Sequence, residues 1–189
     1  MSYKAPLATT TDFGIMQVGT GLSVTNGLVS ATLGLLDYGF FTDATTQTNP
    51  VANTTNIVTF DTTGPANGVS VVGGTDITVV DAGVYTKLFT LLCSKTSGGT
   101  TAISVWLQVK TAVGPFTDVV GSRQDLDLIN TLPTIFTSGN FTLPITAGGA
   151  IRLCWSSADL TFSLSALPAA VAPTRPTGNS VKVTLTRIS

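Results

Sequence analysis

The chain has 189 residues, enough for one domain and a short extension, yet only 10% of them are charged, against roughly 25% in an ordinary soluble domain. It has no His and no Glu, and its net charge is −1. That excludes a Ser-His-Asp or Cys-His nucleophile, a His-ligated metal and the basic footprint of a nucleic-acid binder. An apolar fraction of 43% excludes disorder as well, and 34 Thr with 19 Gly fill the polar remainder.

Met1 to Pro6 carry one Lys and no following apolar run, so no secretory signal is expected. The most apolar window, Gly27 to Phe41, is broken by Ser30, Thr32 and Asp37, so no membrane-spanning helix is expected either. A protein made in a cytosol and remaining soluble fits both. Asn26-Gly27 lies between two short β-prone runs, the strongest short-range signal for a two-residue hairpin. An isolated hairpin is marginal in water, so this one is expected to pair with its own copies or with another protein. Phe13, Ile15, Val18, Leu22, Val24 and Leu28 are the apolar residues assigned to that attachment. The expected division is an arm over 1–36 and a main domain over 37–189.

Beyond the arm, helix signals are nearly absent, and short apolar runs recur between Gly, Pro, Asn and Asp clusters. Strands are expected at 38–41, 56–60, 69–72, 76–80, 84–94, 102–110, 119–121, 135–143, 150–156, 160–167 and 180–188. Turn signals every 8–12 residues or so make this an all-β sandwich or barrel. In 102–110, Ile103, Val105, Leu107 and Val109 share one face, and Ser104, Trp106 and Gln108 the other. In 84–93, Tyr85, Lys87, Phe89, Leu91 and Cys93 alternate with Val84, Thr86, Leu88, Thr90 and Leu92. Apart from Lys87, both faces of that strand are largely apolar, which suits a central strand of a thick core or one facing another subunit. The Pro-containing stretch from Pro168 to Gly178 reads as an extended connection to the last strand.

The residues that could carry chemistry are few. Asp125 and Asp127 share a side of an extended segment, but two carboxylates underfill a calcium shell, and the segment reads as a solvated loop. Gly19-Thr20-Gly21 lacks the third glycine of a dinucleotide fingerprint, because Val24 stands there, and no helix follows. Asn53 and Asn140 open glycosylation-type triplets that carry no weight without a signal segment. Cys93 and Cys154 read as buried free thiols, with Lys95 and Arg152 each two residues away; a disulfide between them depends on a separation that sequence does not give. Arg123, Arg152, Arg175 and Arg187 are scattered, and their best role is pairing with Asp or chain termini. Trp106 and Trp155 have the rings of a sugar-stacking platform, but their strands suit packing. With Tyr85, Phe89 and Leu91 they are assigned to packing between copies. No catalytic constellation, cofactor or metal is expected.

From Tyr38 to Ile188 a series of weak motifs falls in a specific order. They are Tyr38-Gly-Phe-Phe-Thr-Asp43, Asn67-Gly-Val-Ser-Val71, Ala82-Gly-Val-Tyr85, Val105-Trp-Leu107, Phe141-Thr-Leu143, Thr146-Ala-Gly148 with Ile151-Arg-Leu153, and Pro173-Thr-Arg-Pro176. This stretch resembles the jelly-roll domain shared by tumour necrosis factor and the complement globular head. It is more similar still to the version found in structural proteins of tailed bacteriophages and some algal viruses. Lys87 departs from that pattern where an aromatic is usual, and Gly149 where Asp is common. The resemblance implies a homotrimer of jelly rolls with about ten strands each. It also implies a virion-surface structural protein, made in the host cytoplasm: a capsid decoration or head-fibre protein docked on another virion protein, not an enzyme, without cofactor, nucleic acid or membrane. A short tail fibre or receptor-binding tip for host surface glycans is the alternative. The chain lacks a long shaft repeat, and Phe116 is its main loop aromatic.

Overall fold

The computed structural model describes residues 22–25, 28–31, 36–129 and 135–189, with side chains from 36–129 and 139–189. The backbone divides into two compact units, Met1–Leu35 and Leu36–Ser189. In the first, β1 (Leu22–Thr25) pairs antiparallel with β2 (Leu28–Ala31). Thr25 faces Leu28, so the ladder closes on either side of Asn26-Gly27, the hairpin register expected from the sequence. Phe13, Ile15 and Val18 lie outside the described residues.

The second unit opens with β3 (Tyr38–Asp43), β4 (Gln47–Thr48), β5 (Asn56–Ile57) and β6 (Thr62–Asn67). Next come β7 (Val69–Val72), β8 (Asp76–Val79), β9 (Gly83–Ser94), β10 (Thr100–Lys110) and β11 (Thr117–Asp118). The chain ends with β12 (Gln124–Ile129), β13 (Ile135–Ile145), β14 (Ala150–Ser157), β15 (Ser163–Leu164), β16 (Ala170–Val171), β17 (Thr174–Arg175) and β18 (Val181–Arg187). No helix occurs among the described residues.

Two seven-stranded antiparallel sheets result. One runs β4-β15-β9-β18-β3-β6, with β13 on the other side of β9; the second runs β11-β10-β14-β8-β7, with β12 on β10 and β5 on β14. Successive long strands switch sheets, so the chain wraps as a jelly-roll sandwich. Ten strands of this unit have four residues or more. The turn after β7 uses Gly73 and Gly74 at φ 61° and 73°, a left-handed conformation in which only glycine is unstrained.

The core lies between the sheets and follows strand alternation. Tyr85, Phe89, Leu91 and Cys93 of β9 and Val181, Val183 and Leu185 of β18 meet Ile103, Val105 and Leu107 of β10 and Ile151, Leu153 and Trp155 of β14. Three expectations change. Residues 119–121 form a turn, not a strand, and 160–167 contains only the two-residue β15. The Asp125-Leu-Asp127 segment is an edge strand, β12, not a loop, because Leu126 and Leu128 turn inward while both carboxylates stay exposed.

Candidate functional site

Two surfaces of the sandwich stand out, one on each sheet. On the β9 sheet, the face turned away from the core is assembled by register. Asn140, Leu88, Thr184 and Phe40 form one cross-strand row. Thr142, Thr86, Thr186 and Tyr38 form the next. Leu88 is 49% exposed, Tyr38 38% and Phe40 37%. Phe40 points out by strand alternation, and Gly64 leaves room for its ring, since a Cβ there would come within 2.8 Å of it. Thr86 and Thr142 share a hydroxyl hydrogen bond of 3.2 Å. Among the described strand residues, Lys182 carries the one formal charge on this face. The surface is thus nearly uncharged, with an apolar centre and threonines around it.

The open face of the β10 sheet has the opposite character. Trp106 is half-buried there, and its Nε1 donates to Asp118 Oδ1 at 2.9 Å. Gln108 Nε2 donates to the same oxygen at 2.8 Å, and Arg152 Nε donates to Gln108 Oε1 at 2.8 Å. The Arg152 guanidinium lies 3.9 Å from the centre of the Phe116 ring, with the Lys110 ammonium 4.6 Å from it. Lys110 is in turn bound to Asp76 at 3.0 Å. Phe116, the main loop aromatic, is therefore covered by cations rather than free. Beside Trp106 a groove of about 310 Å³ is lined by Ser104, Asp118, Val119, Gly121, Arg123 and Ser156. The Arg123 guanidinium donates to Asp125 at 2.9 Å, which, with Ser104, holds that carboxyl below the usual carboxylate range.

The residues assigned to packing between copies are placed differently from that assignment. Tyr85, Phe89, Leu91 and Trp155 all lie inside one chain, 1% exposed or less. Phe89 stacks on Phe141 with ring centres 6.1 Å apart, and Trp155 tilts against Phe162 at 5.4 Å. The Tyr85 hydroxyl lies 2.7 Å from Asp37 Oδ2 and 2.8 Å from the Asp81 carbonyl, two acceptors that share its single proton. Burial first, and the Asp37 carboxylate second, hold that phenol protonated far above its ordinary range. These four side chains face the opposite sheet and have no surface to offer a second copy. Trp106 points outward, but on the β10 sheet. The residues of β9 that do face out are Thr86, Leu88 and Thr90, the alternate set.

Lys87 is the anomaly of the core. It is fully buried on the inward face of β9, and its Nζ has no hydrogen-bond partner among the described residues. The centre of the Phe89 ring lies 5.9 Å from it. Desolvation pushes its amine down to about 7. Cys93 and Cys154 are free and buried, and burial pushes their thiols up to about 12 and about 11. Such thiols are poor nucleophiles. Asp125 and Asp127 are exposed, and among the described residues no three His, Cys, Asp or Glu side chains converge.

No family model and no curated protein matches the chain. Solved structures do. Murine APRIL superposes with a TM-score of 0.55 at 10% identity, over 82% of this chain and 100% of its own. The globular domain of zebrafish complement 1qA gives 0.51 at 15% identity, over 82% and 98%. The Eiger TNF of S. frugiperda gives 0.50 at 13% identity, over 82% and 93%. At these identities the likeness is one of fold, and the jelly roll implied by the sequence resemblance is the fold observed.

Proposed function

We propose that this protein is a homotrimeric virion-surface structural protein, of the capsid decoration or head-fibre kind, which acts by binding rather than by chemistry. The observation that carries self-association is the open face of the β9 sheet. Leu88, Phe40 and Tyr38 present apolar area to water around the centre of a sheet with one formal charge on that side. Contiguous apolar patches of this kind mark interaction surfaces. A second copy is the fitting occupant, since a face with a single formal charge offers little to steer a charged partner and asks for little in return. The attachment role goes to the N-terminal unit, which contains the β1–β2 hairpin. A shell-bound trimer engages its support at three points at once, so modest contacts per arm add to tight attachment.

Light scattering of the purified chain tests the first part. A trimer is expected, and Leu88→Asp is expected to give folded monomers; a wild-type monomer at micromolar concentration overturns the shared-face assignment. Quantitative mass spectrometry of particles tests the second. Hundreds of copies per particle support decoration. A handful, in multiples of three, moves the protein to the tail, and absence from particles overturns the virion reading.

A further inference from the structure

The groove beside Trp106 belongs to one chain and lies on the sheet opposite the face assigned to self-association, so a ligand bound there is independent of how copies associate. We propose that it is a binding site for a neutral hexopyranose unit of a carbohydrate.

A tryptophan on the outer face of a strand, half-buried with its ring along an open groove, is an unusual use of the largest apolar side chain. Its ring is held in place, because Nε1 is tied to Asp118 Oδ1 at 2.9 Å and that oxygen is also tied to Gln108 at 2.8 Å. The flat ring is therefore presented without the freedom that a ligand would otherwise have to freeze out. The face of an indole is electron-rich, and the ligand that matches it is a ring with an edge of polarised C–H bonds. A pyranose has such a face and, around its rim, hydroxyls that both donate and accept.

The groove supplies partners for that rim. No described hydrogen bond uses Asp118 Oδ2, which leaves an acceptor beside the indole. Arg123 binds Asp125 through Nε, and its side chain is 69% exposed, so the far end of the guanidinium is available to donate. Ser104 and Ser156 line it with hydroxyls; that of Ser104 is bonded to Asp125 and can accept, while that of Ser156 can donate or accept. Gly121 lines the groove at φ 78°, a left-handed turn conformation that favours glycine. The local charge selects among sugars. Arg123 is already neutralised by Asp125, and Asp118 has no cation within salt-bridge distance among the described residues, so the Asp118 carboxylate is the unpaired charge of the groove lining, with the Arg152 guanidinium one side chain removed through Gln108. Sialic and uronic acids are disfavoured there, and a neutral hexose is not. At about 310 Å³ the groove sits at the small end of ligand sites, room for a ring or two rather than a long chain.

Saturation-transfer NMR on the full chain tests this with the methyl glycosides of glucose, galactose, mannose and N-acetylglucosamine, and with N-acetylneuraminic acid as the charged probe. Transfer to at least one neutral glycoside is expected, strongest on the protons of one ring face. Trp106→Ala is expected to abolish it. Asp118→Asn keeps the acceptor for the indole but weakens the rim contact, and Arg123→Ala removes the donor. Each should lower affinity roughly three- to tenfold, the worth of one hydrogen bond. Both changes are at exposed positions, so they report even if Trp106→Ala fails to fold. Absence of transfer from all four neutral glycosides overturns the proposal. So does transfer that survives all three substitutions, or a preference for N-acetylneuraminic acid. A trimer without sugar binding leaves the self-association reading standing, and sugar binding by a monomer does the reverse.

Discussion

Replacing Lys87 by Met should make the protein more stable and remove half of its pH dependence. The side chains are close in length and volume, so the exchange is mainly one of an ammonium for a thioether. The amine is pushed from 10.5 to about 7 because the folded chain strips it of water and gives no partner back. At about 1.4 kcal/mol per pH unit, the charged form costs the fold about 5 kcal/mol. Below pH 7 the folded and unfolded chains both hold the proton, and the penalty is full and constant. Between pH 7 and 10.5 the unfolded chain is protonated and the folded chain is not, so stability rises with pH. The two thiols act in the opposite sense. Their values are raised from 9.0 to about 12 and about 11, so above pH 9 the unfolded chain releases protons that the folded chain keeps. Stability of the natural chain should therefore climb by about 1–2 kcal/mol from pH 7 to pH 9, since the folded amine is already half deprotonated at pH 7 and the thiols begin to oppose it near pH 9, and turn down beyond.

Guanidinium unfolding followed by tryptophan fluorescence, under reducing conditions and at one protein concentration, measures this directly. Lys87→Met should lack the rising limb, keep the downturn, and exceed the natural chain at pH 6 by several kcal/mol. In thermal unfolding that is a gain of about 10–20 °C for a chain of this size. Imperfect packing of the Met lowers the absolute gain but leaves the pH slope untouched, so the slope decides. A natural chain whose stability is flat between pH 7 and 9 would falsify the placement of an unpartnered amine in the core.

Gly139→Ala should destabilise the head by about 1–3 kcal/mol, because the added Cβ would sit 2.5 Å from the Phe89 ring and 2.7 Å from Gln124 Oε1; thermal unfolding against Gly98→Ala, where a Cβ meets nothing, isolates the clash. Neither cysteine should react with a thiol reagent in the native protein, and both should react at the rate of unfolding; fast native labelling contradicts their burial. Deleting residues 1–36 should leave a folded head that no longer joins particles, measured by copy number in purified virions, and normal incorporation of the truncated chain refutes the attachment role.

Strand identity was legible wherever one face was apolar and the other small or polar. Ile103, Val105 and Leu107 predicted the inward side of β10, and Trp106 fell outward with Ser104 and Gln108. On β9 the alternation was equally plain, but which side faced the core was not. A lysine normally marks an outward face. Here Tyr85, Phe89, Leu91 and Cys93 share its side, and burying those four takes Lys87 in with them. The edge strands were missed for a related reason. Asp125 and Asp127 in β12, and Gly64-Pro65 in β6, are residues that discourage pairing on a free edge, and in a sequence they read as loop. The groove was half-visible. Trp106 was a stacking candidate from its ring alone, but Asp118 reaches it through the two-residue pairing of β11 with β10, and Arg123 through the turn beyond β11. Contacts of that kind leave no periodicity to read.

The distribution of charge between the two open faces bears on which of them is wet. Asp76, Lys110, Asp118, Asp125, Asp127 and Arg152 all stand on the outward side of the β10 sheet, whereas the described outward positions of the β9 sheet hold Lys182 alone. Both sheets bury comparable inward residues, so the difference is not a demand of the core. A charge kept in water costs nothing, while one covered by a partner loses its hydration unless it is paired. A chain with so few charges that places six of its strand charges on one face and one on the other is built for unequal exposure. The face of Leu88 and Phe40 can be covered at the expense of a single ammonium, that of Lys182 in the adjoining row. Covering the face of Trp106 would strand several. That asymmetry supports self-association through the first and solution contact, with a small polar ligand, through the second.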